Sequence, residues 1–101
     1  MEPKILILKK DLIAKARGFT IAIQKMHNEQ RLKTPNGVYG NDYNMLRELT
    51  MQSYPSLKVL LPPAVSIYTG HGTVNTYTNA SFGEIDTYCE QICQLLGEQG
   101  D

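Results

Sequence analysis

Two cysteines and two histidines are the side chains that could build a zinc site, and their spacing limits what they can do. Cys89 and Cys93 are four residues apart, so a helix presents both on one face, as two ligands of a zinc site can be. His27 and His71 would have to complete a Cys₂His₂ set from distant positions, without the short knuckle spacings that announce structural zinc. Both cysteines also fall inside an apolar arc, where a free thiol behaves as a small hydrophobe. They are read as core. No metal, no cofactor and no disulfide is assigned, because side chains at this helical spacing do not point at each other.

His71 sits between Gly70 and Gly72, at the tip of a predicted hairpin. An exposed imidazole can act as a general acid or base near neutral pH, and Tyr68 and Tyr77 flank it, so these three residues form a candidate ligand site. Catalysis would also need an orienting partner and a nucleophile or oxyanion site. The hydroxyls of Ser66, Thr69 and Thr73 are near in sequence but follow no triad-like pattern. His71 is therefore read as a turn residue and no catalytic residue is assigned. Gly37 and Gly40, in NGVYGND, have no preceding strand and no following Lys-Ser/Thr, which excludes a phosphate loop and leaves them as turn glycines. Asp86 and Glu90 share a helix face, expected to be the solvated one.

The basic residues make a different pattern. Lys10, Arg17 and Arg31 are separated by multiples of seven, with Lys25 beside them, opposite the core stripe of the first helix. Such a row can follow phosphates, giving salt-dependent nucleic-acid binding. Against this stand a formal charge of zero and no nucleic-acid reading motif. The charge is unevenly spread, with eight basic and three acidic groups in residues 1–34, a net +5 that the remainder balances with −5. Polarity of this kind steers partners rather than fixing a fold.

These side chains are positioned by elements legible from periodicity. Leu8, Leu12, Ala16, Phe19, Ile23 and Met26 recur at steps of three and four, which predicts a helix over residues 11–32. Residues 4–8 (KILIL) read either as a short strand or, preferred, as an earlier start of that helix with Pro3 in its first turn. Gly18, in mid-helix, would admit a close neighbour. Pro35 and the turn pair Asn36-Gly37 stop the helix. Asn41 or Asp42 then caps a second helix to residue 53, with Tyr43, Met45, Leu46 and Leu49 inward. Tyr54-Pro55 interrupts it, a short helical turn follows, and Pro62-Pro63 ends that turn. Residues 64–69 and 73–78 are β-branched and aromatic around Gly-His-Gly, and predict a β-hairpin with Val65, Ile67 and Thr69 inward. Ser81 with Glu84 is a capping box opening an amphipathic helix over residues 82–96.

The expected fold is therefore α+β and mostly α-helical: a long N-terminal helix, a second helix, a β-hairpin and a C-terminal amphipathic helix. Residues 1–97 form one small domain, and 98–101 a polar tail that can begin a linker. A length of 101 residues with 42% hydrophobic and 20% charged residues suits one ordinary globular core. No apolar run approaches the ~20 residues of a membrane span, and the apolar run after Lys4 is too short for a secretory signal. The reading is a soluble cytoplasmic protein, in what composition suggests is a bacterial or phage-like setting.

Ile13 and Ile21 project away from the core stripe towards the basic side, and Leu32 and Met51 also lie off their stripes. Either the hairpin folds over that flank, or a protein partner or self-association covers it. The preferred function is a non-enzymatic protein-interaction or oligomerisation module: an adaptor, a regulatory domain or a small inhibitor. Its expected surface comprises Ile13, Ile21, Lys10, Arg17, Lys25 and Arg31. The alternatives are a small nucleic-acid-binding regulator using the basic first helix, and an enzyme or small-ligand binder using His71.

Overall fold

A computed structural model describes residues 8–70, 72 and 75–99. The expectations for residues 4–7, His71 and Thr73 lie outside that set. The architecture is small, mostly helical α+β, with four α-helices, a 3₁₀ turn and one two-stranded antiparallel hairpin among the described residues. The helices are α1 (Lys9–Gln24), α2 (Asn28–Arg31), α3 (Gly37–Ser53) and α4 (Phe82–Gly97). The strands are β1 (Ile67–Thr69) and β2 (Thr76–Thr78).

The core forms where the apolar stripes of three helices meet. Leu12, Ala16 and Ile23 of α1 pack against Ile85, Cys89, Ile92 and Leu96 of α4, and Tyr43 and Leu46 of α3 close the third side. The first and last helices make the most extensive packing in the fold, as their amphipathic stripes require. At the end of α4, Glu98 and Gln99 remain attached. The Gln99 carbonyl accepts from Lys9 Nζ at 2.9 Å, and its side chain donates to the Leu95 carbonyl.

The single helix predicted over residues 11–32 is two helices. It breaks at Lys25–His27, where His27 adopts extended backbone (φ −65°, ψ 154°) and leads into the single turn of α2. Between Met26 and Leu32 the sequence has no apolar side chain, and α2 buries none of its residues, so no packing holds the first axis past Met26.

Helix α3 begins at Gly37, four residues before the expected cap. Asn36 Oδ1 accepts from the Tyr39 amide at 2.9 Å, the N-cap geometry that Asn favours. Gly37 and Gly40 are helical, not turn glycines. Their missing side chains let the hairpin lie directly on the helix: a methyl on Gly37 would stand 2.8 Å from Thr76 Cβ and 2.9 Å from Ile67 Cγ2. One on Gly40 would overlap Thr78 Cγ2.

The hairpin is shorter than its two six-residue runs. It pairs Ile67 with Thr78, Tyr68 with Tyr77 and Thr69 with Thr76; Val65 and Ile67 turn inward as expected, whereas Thr69, at the end of β1, is exposed. Asn44 of α3 anchors its approach, donating to the Val65 carbonyl and accepting from its amide, both at 2.9 Å. Thr78 is fully buried, and its hydroxyl donates to the Ala80 carbonyl at 2.7 Å. The hairpin thus rests on α3 and does not cover the outer flank of α1. Tyr43 Oη and Arg47 Nε donate to the Pro63 and Pro62 carbonyls, at 2.8 and 2.7 Å, fixing the segment before it. The capping box forms as read, with Ser81 Oγ accepting from the Glu84 amide and Glu84 Oε1 from the Ser81 amide, each at 3.1 Å.

Candidate interaction surface

The outer side of α1 carries three of the four predicted cations: Lys10, Arg17 and Lys25 are exposed, with Ile21 among them at 52% exposure. Arg17 also lies beside Cys93. Ile13 is drawn further in than expected. It is half-buried against the core, its carbonyl facing Cys93 Sγ at 3.8 Å. Arg31 does not extend the basic row, because the break after Gln24 moves it onto α2. There its Nη2 donates to Asp86 Oδ2 at 3.3 Å. Asp86 is accordingly not on a solvated face: it is only 5% exposed, whereas Glu90 is exposed and accepts from Gln24 Nε2. Leu32 stands out from the surface and Met51 is half-buried.

A groove runs between α1 and α3. Its main depression, of about 290 Å³, is lined by Lys15 and Phe19 from one helix and Asp42, Met45 and Leu49 from the other. A second depression of about 230 Å³ adjoins it at Gly18, Phe19, Ala22 and Tyr39. Met45, expected inward, is 60% exposed, and Val38, seven residues earlier on the same face, is 69% exposed. An aromatic row lies beneath. Phe19 meets Tyr39 edge-on at 5.2 Å, and Tyr39 meets Phe82 at 5.2 Å, tying α1, α3 and α4 together. Burial pushes the Tyr39 hydroxyl up to about 12, with the negative potentials of Cys89, Asp86 and Asp42 adding to it. Tyr39 Oη and Asp86 Oδ1 are buried without a hydrogen-bond partner among the described residues.

Lys15, Phe19, Val38, Asp42 and Met45 were not picked out by sequence reasoning as a surface. The usable signal was the seven-residue separation of Val38 from Met45 and of Asp42 from Leu49, which puts these four on one flank of α3.

On the hairpin, Tyr68 and Tyr77 form an exposed tilted pair, ring centroids 5.6 Å apart. Tyr77 borders a shallow depression with Pro35, Asn36, Val38 and Asn75. The cysteines pack as expected. Cys89 is fully buried, which pushes its thiol up to about 12, and burial raises Cys93 too, with Arg17 opposing. Among the described residues, no group of three or more His, Cys, Asp and Glu side chains could hold a metal ion, and no helix is long and apolar enough to cross a membrane. No family model, curated protein or solved structure matches the chain.

Proposed function

We propose that the chain is a non-enzymatic protein-interaction module, an adaptor, regulatory domain or small inhibitor, that engages its partner along the α1–α3 groove. The observation that carries this reading is the exposed apolar pair of Val38 and Met45 on one flank of α3, where Met45 borders the groove beside half-buried Phe19 and Leu49. Large apolar side chains grouped in a groove, rather than scattered singly, mark docking sites, and facing helices are a common frame for them. The setting in this reading is cytoplasmic. Two free thiols, one fully buried in the core, suit a reducing compartment.

The test is affinity purification from the native host with wild type, Met45→Glu and Ile21→Glu in parallel. A stoichiometric protein, or a homo-oligomer, retained in moderate salt and lost on Met45→Glu supports the groove. Retention on both variants overturns it. The exposed row of Lys10, Arg17 and Lys25 favours a second reading, nucleic-acid binding. That reading predicts binding released by moderate salt and abolished by Arg17→Glu, and indifferent to Met45→Glu.

A further inference from the structure

We propose that the occupant of the α1–α3 groove is a second copy of this chain, docked about a two-fold axis along the groove so that α1 of each copy lies on α3 of the other. The inference rests on the groove being the interaction surface and names what fills it.

The two walls differ in charge. The open side of α1 presents Lys15 and, just past its end, Lys25, with Asp11 as its one acid, and all three are exposed. The open side of α3 presents Asp42 and Glu48, also exposed, and no cation. Its nearest basic residue, Arg47, is turned the other way, its Nε held by the Pro62 carbonyl. Setting α1 against α1 would place lysines against lysines. Exchanging the helices brings each basic wall onto an acidic one, twice over, as a closed isologous interface requires.

The relief of the two walls agrees with this exchange. Ala14, Gly18 and Ala22, at steps of four, leave α1 low, and nothing lies within 4 Å of where a Gly18 side chain would begin. Val38 and Met45 stand proud on α3. Bulky side chains of one copy would enter the low strip of the other.

Sedimentation equilibrium over a concentration series decides the matter, with circular dichroism confirming that each variant folds. Two charge-reversal variants are used: Lys15→Glu/Lys25→Glu, and Asp42→Lys/Glu48→Lys. Wild type is expected to dimerise, with an affinity that falls as salt is added. Each variant alone should dimerise about tenfold or more weakly. An equimolar mixture of the two should recover a heterodimer, because its basic and acidic walls again face each other. A wild type that stays monomeric at every concentration overturns the proposal, as do variants that self-associate like wild type or fail to recover on mixing. If wild type is monomeric yet loses a host protein on Met45→Glu, the second copy is excluded and the groove reading stands. If neither a dimer nor a Met45-dependent partner is found, both fall.

Discussion

Arg31 Nη2 lies 3.3 Å from Asp86 Oδ2, joining the single turn of α2 to the first half of α4. The carboxylate is nearly buried, whereas the guanidinium side chain is about a third exposed at 36%. Truncating the cation therefore strands a charge in the interior. Arg31→Ala is expected to destabilise the fold by about 3 kcal/mol, the lower end for breaking a buried pair because Arg31 is partly solvated. Asp86→Ala should cost less, since the freed guanidinium can reach water. Urea titrations of both singles and the double variant check this. A double variant no worse than Arg31→Ala alone is the expected coupling, and strict additivity would show that the pair does not act as one.

Glycines on α1 and α3 should respond oppositely to alanine. Gly18 has open space around it, so Gly18→Ala is expected to stabilise the folded chain by about 1 kcal/mol through helix propensity. At Gly37 and Gly40 the same gain is opposed by collision with Thr76 and Thr78, stiff β-branched residues of the docked hairpin. Net destabilisation of about 1–2 kcal/mol is expected at each. Thermal melts of the three variants test the contrast, and a stabilised Gly40→Ala would mean the hairpin does not sit on that helix face.

Stability should fall on the alkaline side. Cys89 and Tyr39 are neutral when protonated, and burial raises them from 9.0 and 10.0 respectively to about 12 in the folded chain. A folded value above the unfolded one means that the stabilising contribution is complete below about pH 9 and disappears as pH climbs towards 12. The melting temperature is expected to hold from neutrality to about pH 9 and then to drop. In Cys89→Ala the neutral-pH stability should be lower and the alkaline drop shallower. An unchanged alkaline slope would assign the effect to other groups.

Thiol labelling gives an independent reading of the same core. Cys89 should react only when the protein unfolds, because it is both inaccessible and held as the thiol. Cys93, half-buried beside Arg17, should label first. Mass spectrometry of briefly alkylated native protein distinguishes the two, and equal labelling would contradict the packing of α1 on α4.

The capping box is worth testing because it starts the helix that closes the core. Ser81→Ala is expected to cost about 1 kcal/mol. Denaturant midpoints at unchanged slope would measure it.

What could be read in advance follows from which forces are local. Helix α4 was legible to within a residue, because a capping box, a stripe and a terminal glycine all agree there. Helix α1 was legible in its stripe but not in its end, since Met26 keeps the period and only the missing partner beyond it stops the helix. Gly37 and Gly40 misled for the same reason: turn chemistry is local, whereas their role is set by a hairpin some thirty to forty residues away in sequence. Asp86 lies on what pattern alone makes a polar face, and only the turn into α2 brings Arg31 to cover it. Of the expected surface, Ile21, Lys10, Arg17 and Lys25 lie exposed together, Ile13 and Arg31 are drawn inward, and the groove arises from how α1 and α3 pack, which no single-helix pattern contains.

The packing of α1 on α4 also has a consequence for the order of assembly. Leu12, Ala16 and Ile23 emerge from the ribosome well before the side chains that cover them, Ile85 to Leu96. Their union closes a loop of most of the chain, an entropic step that local helix formation cannot advance. During synthesis the first helix must therefore wait, apolar side outward, until α4 has appeared.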